Sequence, residues 1–545
     1  MLDTWARKLG LRTNPAIFFG AAISMIVILL ILLIAPEWTR EVFADGRAWV
    51  VDRLGWFFIL GVTAWLAFLL YVAFSRFGNL RLGKDTDRPD YSNISWFTML
   101  FAGGIGTVLM FWGVAEPIYH FESPPRGAEP HSAEAANDAM SIALYHLGLH
   151  TWAIFALPGL AFAYFVYRHK LPLRVSSVFY PFLKERIYGP IGKTIDVFAI
   201  LGTLFGVAVS IGLGTSQINA GLTALFDVPD SVLPKVIIIA VLTTVAVSSI
   251  VLGLDKGIKR LSNINIGMAT ALMVFVFVFG STLFLFREVI ETVGLYLTNL
   301  IELAFWNDSI STVEGDWGWQ GGWTVFYWAW TVTWAPFIGI FVARISRGRT
   351  IREFVLGVLF APSLFTLVWF AIFGWEAMRI DGIGGNGGPI GEAIGDGGAP
   401  MAMFAFFENF PATGLIQGIA VVIVAIFFAT SSDSASLVVD MLCTGDSDSG
   451  PVRQRIFWGV SEGMLAALLI IVAGDVGLDA LQQVITVVGL PIFILVFASL
   501  FALWAGLRSE NLPKYVVPPP AVVTSDEETA PSSAGDAEKR ETAVT

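Results

Sequence analysis

Apolar residues in this chain gather into long runs rather than alternating with polar ones. Windows of about 20 apolar residues, the length that crosses a hydrocarbon core, fall at 15–35, 54–74, 93–116, 139–167, 194–221, 233–253, 263–286, 321–343, 351–375, 412–439, 455–473 and 483–506. They predict an all-α integral membrane protein of twelve spans. The first window has no A-x-A site and is too long for a signal-peptide core, so it reads as a retained helix. Between the seventh and eighth windows, 289–303 sets apolar residues at helical spacing with carboxylates opposite, which predicts an interfacial helix. This helix parts five spans from five, and units with an odd number of spans insert with opposite topology. The expected divisions are 1–92 with two peripheral spans, a first five-helix repeat over 93–286, an outer helix and loop over 287–320, a second repeat over 321–506 and a tail over 507–545.

Two spans carry interruptions at corresponding places. In the third, the run Ala102-Gly103-Gly104-Ile105-Gly106-Thr107 breaks an apolar helix; in the eighth, Pro336 follows Trp328, Trp330 and Trp334. Unwound backbone at membrane depth is tolerated where it lines a cavity, and paired breaks point to a transport site. Indole faces attract a desolvated organic cation. The plainer alternatives are close helix packing at the glycines and a tryptophan packing seam. Segment 376–411, with Ile383-Gly384-Gly385-Asn386-Gly387-Gly388, reads as a flexible outer loop, and the polar tail from Pro518 reads as disordered.

Composition agrees with the pattern: 55% of 545 residues are hydrophobic and 14% charged, with a mean hydropathy of +0.71. With both termini placed in the cytoplasm, 26 of the 33 Lys and Arg residues fall in inner segments, the bias of the positive-inside rule. A plasma-membrane location follows, since nothing points to an organelle. The net charge of −11 gives no sign of nucleic-acid binding, because the acids lie mainly in outer loops and the tail. The single Cys443 excludes an internal disulfide.

Longer motifs carry more. Leu109-Met110-Phe111-Trp112-Gly113-Val114-Ala115-Glu116-Pro117, the stretch from Trp328 to Phe337, Ala343 to Phe354, and Thr430-Ser431-Ser432-Asp433-Ser434 together resemble the betaine/carnitine/choline transporter (BCCT) family. The resemblance implies twelve spans, the last ten forming the inverted five-plus-five repeat of sodium/amino-acid symporters, commonly assembled as a homotrimer. It also implies import of a quaternary-ammonium or zwitterionic compatible solute such as glycine betaine, with sodium as coupling ion and no cofactor.

By the same resemblance the ammonium cage draws on the fourth and eighth spans, which read Leu147, Trp152, Phe155 and Trp330, Thr331, Trp334 here. Two indoles of the family's pattern are gone and a phenol has lost its hydroxyl. A lost cation–π contact costs a desolvated cation about 2 kcal/mol, roughly thirtyfold in affinity, so the preferred ligand can differ: ectoine, taurine-like zwitterions and sulfonium betaines are candidates beside glycine betaine. Thr331 offers a donor for a carboxylate or sulfonate, or bonds back to its own helix. Gly104, Ile105 and Gly106 stand where backbone amides meet the anionic end of a zwitterion, and Val108 narrows that place.

One sodium site is implied at the carbonyls of Ala102, Ile105 and Phe427 with the hydroxyls of Thr430 and Ser431; the alternative is that these are packing residues. A second is implied at Thr203 and Phe337, where Val207 replaces an expected threonine. No Arg or Lys lies between Ile264 and Leu285 to stand in for the ion. Asp433, an acid at membrane depth, orients the ion ligands, carries a proton or caps a helix, so proton-coupled or sodium-independent carriage of choline, carnitine or a taurine- or sulfonium-type zwitterion stays open. Arg344, Arg347, Arg349 and Arg352 serve topology and lipid contact or a gate. The acidic tail argues against osmotic sensing through anionic lipid. A membrane enzyme lacks support, since His146 and His150 are the close histidine pair and no carboxylate stands at ligand spacing with them; a non-transporting sensor is the remote alternative.

Overall fold

The computed structural model describes residues 2–102, 106–252, 255–310, 318–445, 450–474 and 477–510. Among them every regular element is a helix, apart from a single bridge between Arg81 and Thr350. Eleven helices are long and apolar enough to cross a membrane. In chain order the elements that matter below are α1 (Pro15–Ile34), α2 (Pro36–Phe74), α3 (Asn93–Ala102), α4 (Gly106–Glu122), α5 (Ala133–Leu147), α6 (Leu149–Phe162), α7 (Pro190–Phe226), α8 (Val232–Leu252), α9 (Asp255–Phe279), α10 (Thr282–Phe305), α11 (Thr324–Ile345), α12 (Ile351–Asp381), α13 (Pro389–Gly397), α14 (Ala402–Phe407), α15 (Thr413–Thr444), α16 (Val452–Ala473) and α17 (Leu478–Arg508).

Local chemistry fixes several ends. Pro15 opens α1 behind Asn14, whose side chain accepts from the Ile17 amide. Thr350 and Glu353 form a capping box at the start of α12. The second span is longer than its apolar window: α2 has 39 residues, about 58 Å at the helical rise, and its charged first half extends past the hydrocarbon thickness.

The third window is described as α3 and α4, each too short to be among the eleven, with 103–105 outside the described residues. The fourth window is broken, and nothing in its apolar pattern foretold it. α5 and α6 meet at Gly148, where the Leu149 amide donates to the Tyr296 hydroxyl at 3.0 Å. A Cβ at Gly148 would stand 2.7 Å from that oxygen and 2.5 Å from the Leu144 carbonyl, so only glycine fits.

Three expectations are corrected. α11 runs through Pro336 without a break; the proline ring holds a helical φ, and neighbouring groups in a membrane bundle re-satisfy the backbone it frees. Segment 376–411 is built rather than loose: Asp381 accepts from the amides of Ile390 and Gly391 at 2.8 and 2.9 Å at the head of α13, and Phe404, Phe406 and Phe407 are buried. The interfacial helix expected over 289–303 begins earlier, at Thr282.

At the centre α11 packs against α6, α7 and α17, while α7 packs against α15 and α8 against α16. The arginines after α11 act as staples. Arg349 donates to Asn93 Oδ1 and the Tyr91 carbonyl and covers the Trp96 ring at 3.9 Å, and Arg352 donates to the Ala73 carbonyl. Glu510, just past α17, accepts from Arg168 and Tyr164. Burial works against its charge, but these hydrogen bonds outweigh it and hold the carboxyl below its usual value. The tail, expected to be disordered, lies outside the described residues.

Candidate functional site

Residues three or four apart share a helix face, and four such faces converge. Trp330, Thr331, Trp334 and Phe337 come from α11; Leu147 from α5, with Thr151 and Phe155 continuing the stripe on α6; Val207 and Ser210 from α7; Phe427, Thr430 and Ser431 from α15. With Gly106 and Val108 of α4 they enclose a cavity of about 590 Å³, within the range of small-molecule sites.

Its aromatic wall is held by one hydroxyl. Ser210 Oγ accepts from Trp330 Nε1 at 2.9 Å and Trp334 Nε1 at 3.1 Å and donates to the Gly206 carbonyl at 2.9 Å. Both indole N–H groups are thereby satisfied, and both rings are fixed in place. Phe326 stacks on Trp330 at 5.5 Å, and Phe337 meets Trp334 edge-on at 5.6 Å. Ser210→Ala takes the shared acceptor from both indole N–H groups and loosens both rings beside the cavity. The expected result is a raised KM for the transported solute with normal amounts of folded protein, checked by uptake kinetics beside a thermal-unfolding curve.

Of the residues assigned to the cage by resemblance, Leu147, Phe155, Trp330, Thr331, Trp334 and Gly106 line the cavity. Trp152 does not: it is 1% exposed and lies behind Phe155, ring edge to ring face at 5.6 Å. Gly104 and Ile105 lie outside the described residues. Thr203, Thr333 and Thr430 bond back to carbonyls of their own helices, whereas the Thr331 hydroxyl makes no hydrogen bond to the described residues.

For the first ion site, Ala102 ends α3 and Ile105 lies beyond description. The Phe427 ring lies so close to Gly106 that a Cβ there would come within 2.0 Å of it, so α15 meets the first described turn of α4 directly. Thr430 Oγ1 donates to the carbonyls of Ile426 and Phe427 at 2.9 and 3.1 Å, and Ser431 lines the cavity. For the second site, Phe337 and Val207 line the cavity, while Thr203 is fully buried and donates to the Ala199 carbonyl.

Asp433 also reaches the cavity, ion-paired with Arg455 at 3.3 Å. Beside it Ser432 donates to the fully buried Glu462 at 3.1 Å. Arg455 and Glu462 went unnoticed in the sequence, although a spacing of seven sets both on one face of α16; ionisable residues at membrane depth were the available signal. A second buried cluster was missed too. Glu116 Oε1 lies 2.6 Å from His146 Nδ1 and 3.6 Å from His120 Nε2. The carboxylate at ligand distance from His146 therefore exists, supplied by another helix where spacing along the chain does not reveal it.

A bundle of membrane-spanning helices enclosing a cavity of aromatic faces and hydroxyls defines a multi-span membrane transporter, a protein that moves a solute rather than one that transforms it. Residues 16–512 match the family model described as BCCT, betaine/carnitine/choline family transporter. The ectoine/glycine betaine/proline transporter EctP of Corynebacterium glutamicum is 46% identical over 505 residues, 92% of this chain and 81% of that one. A glycine betaine transporter of Acinetobacter baylyi is 40% identical over 498 residues, 91% and 74% of the two chains. The high-affinity choline transport protein of Escherichia coli is 37% identical over 504 residues, 92% and 73%. This chain belongs to the betaine/carnitine/choline transporter family.

Proposed function

We propose that this transporter imports a small zwitterion, carrying a quaternary ammonium as glycine betaine does or a delocalised cyclic amidinium as ectoine does, together with sodium. The observation that carries the reading is the pair of indoles pinned by Ser210 on the wall of the cavity. A quaternary ammonium has no N–H to donate, so it is recognised by ring faces; Asp433 is held in an ion pair with Arg455 and leaves that task to the aromatic wall. The free Thr331 hydroxyl then donates to the solute's carboxylate. The names of the relatives, which include ectoine, glycine betaine, proline and choline, support the substrate class.

The direct approach of Phe427 to Gly106 supports an ion site between α15 and the third span, with Ser431 and the carbonyls of Ala102, Ile105 and Phe427 as oxygen ligands and Thr430 joining them when its hydroxyl turns from its helix. Hard oxygens of this kind suit an alkali cation. α3 and α4 count together as the third span, which brings the total to twelve. The five-plus-five repeat is supported by packing that survives exchange of the two halves: the third span lies on the ninth as the eighth lies on the fourth, and the seventh on the tenth as the twelfth on the fifth. Cytoplasmic termini and a homotrimer in the plasma membrane complete the proposal. Asp433, Arg455 and Glu462 beside the cavity favour proton coupling as the second reading.

Uptake of labelled glycine betaine, choline, carnitine, ectoine, taurine and dimethylsulfoniopropionate into transporter-deficient cells tests the substrate class. Saturable uptake of an alkylated zwitterion that the others displace is expected; uptake of choline alone, with no zwitterion competing, contradicts the role given to Thr331.

A further inference from the structure

We propose that Glu116, His120 and His146 form a binding site for a divalent transition-metal ion such as zinc. Glu116 and His120 are one turn apart on α4 and share a face, and His146 comes from the last turn of α5. Their nearest ligand atoms all lie within 4.8 Å of one another, and all three side chains are buried. A tetrahedral ion with bonds of about 2.1 Å holds its ligand atoms about 3.4 Å apart. The gaps of 2.6 and 3.6 Å about Glu116 Oε1 bracket that value, so small side-chain shifts admit the ion.

The surroundings are those of a supported ligand set. His146 Nε2 lies 2.9 Å from Thr324 Oγ1, which leaves Nδ1 directed at the cluster, and Tyr327 donates to the far carboxylate oxygen of Glu116 at 2.6 Å. Such outer contacts orient metal ligands. His120 Nε2 is the telling atom: it is buried without a hydrogen-bond partner among the described residues, an arrangement that costs free energy unless something fills it. Two imidazoles with one carboxylate favour zinc, copper, nickel or cobalt over magnesium or calcium. The half-buried Trp319 and Trp323 flank the His120 ring at 5.3 and 4.4 Å.

A bound ion would fasten α4 to α5, with Thr324 and Tyr327 drawing in α11. Those helices carry cavity wall residues: Leu147 follows His146 directly, and Trp330 follows Tyr327 by three residues. Zinc is therefore expected to inhibit uptake. That consequence rests on the transport reading; the binding does not.

The test uses tag-free, chelator-treated full-length protein in detergent, titrated with cobalt(II) and then zinc(II). The expected result is visible d–d absorption of four-coordinate cobalt, displaced by about one zinc per chain, unchanged in His131→Asn and lost in His120→Asn. Pulsed electron paramagnetic resonance of bound copper(II) on the wild type is expected to resolve two imidazole ligands, which decides the matter even where His120→Asn does not fold. No cobalt bands, equal zinc in wild type and a folded His120→Asn, or fewer than two imidazoles on copper overturns the site. Zinc bound as described without inhibition of uptake in proteoliposomes overturns the coupling to transport.

Discussion

Trp330→Ala and Trp334→Ala are each expected to weaken solute affinity about thirtyfold, the equivalent of roughly 2 kcal/mol of cation–π attraction. The reasoning is local. Each ring lines the cavity, each N–H is already taken by Ser210, and the faces are what the solute meets. The two losses should not simply add, because the residues are one turn apart, share the Ser210 hydroxyl as acceptor and face the same solute. Phenylalanine at either place keeps a weaker ring face and should fall between. Trp152→Phe is the contrast: behind Phe155 and 1% exposed, it is expected to act through packing and to change affinity less. Competition by unlabelled solute against labelled uptake reads all of these; equal damage from Trp152→Phe and Trp330→Ala would show that the wall is assigned to the wrong indoles.

Arg455→Met is expected to remove most of the folded transporter. Asp433 and Arg455 are both largely buried, and Glu462 stands beside them. Breaking a buried pair by taking one partner costs about 3–5 kcal/mol, a large part of the stability of most proteins. Taking both charges away is far milder, so Asp433→Asn with Arg455→Met should recover a monodisperse peak and most of the thermal stability. A folded, stable Arg455→Met single variant would mean that Asp433 does not depend on this pair. Whether the double variant still concentrates solute then separates a structural pair from one that takes part in ion coupling.

The sequence carried the helices because a membrane span is a length of apolar chain, a property needing no knowledge of neighbours. It carried Trp330, Thr331 and Trp334 because they stand on one face of one helix. What it did not reveal was made by helices far apart in the chain. The break at Gly148 depends on Tyr296 of α10; Ser210 matters only because α11 lies beside it; Glu116 meets His146 across two helices. The glycine-rich stretch before α14 misled in the opposite sense, since its composition hid the run Phe404 to Phe410 that packs into the bundle. Resemblance transferred positions but not distances, which is why Trp152 stood in the expected cage and lies behind the wall of the observed cavity.

Accumulation of labelled solute in proteoliposomes, with an imposed inward sodium gradient and then with potassium in its place at matched membrane potential and pH, tests the central claim most directly. Sodium-driven symport through a site between α15 and the third span predicts concentration above equilibrium only with sodium, and its loss in Ser431→Ala. Equal accumulation without sodium, or accumulation driven by a proton gradient alone, would contradict it and transfer the coupling role to Asp433 and Glu462.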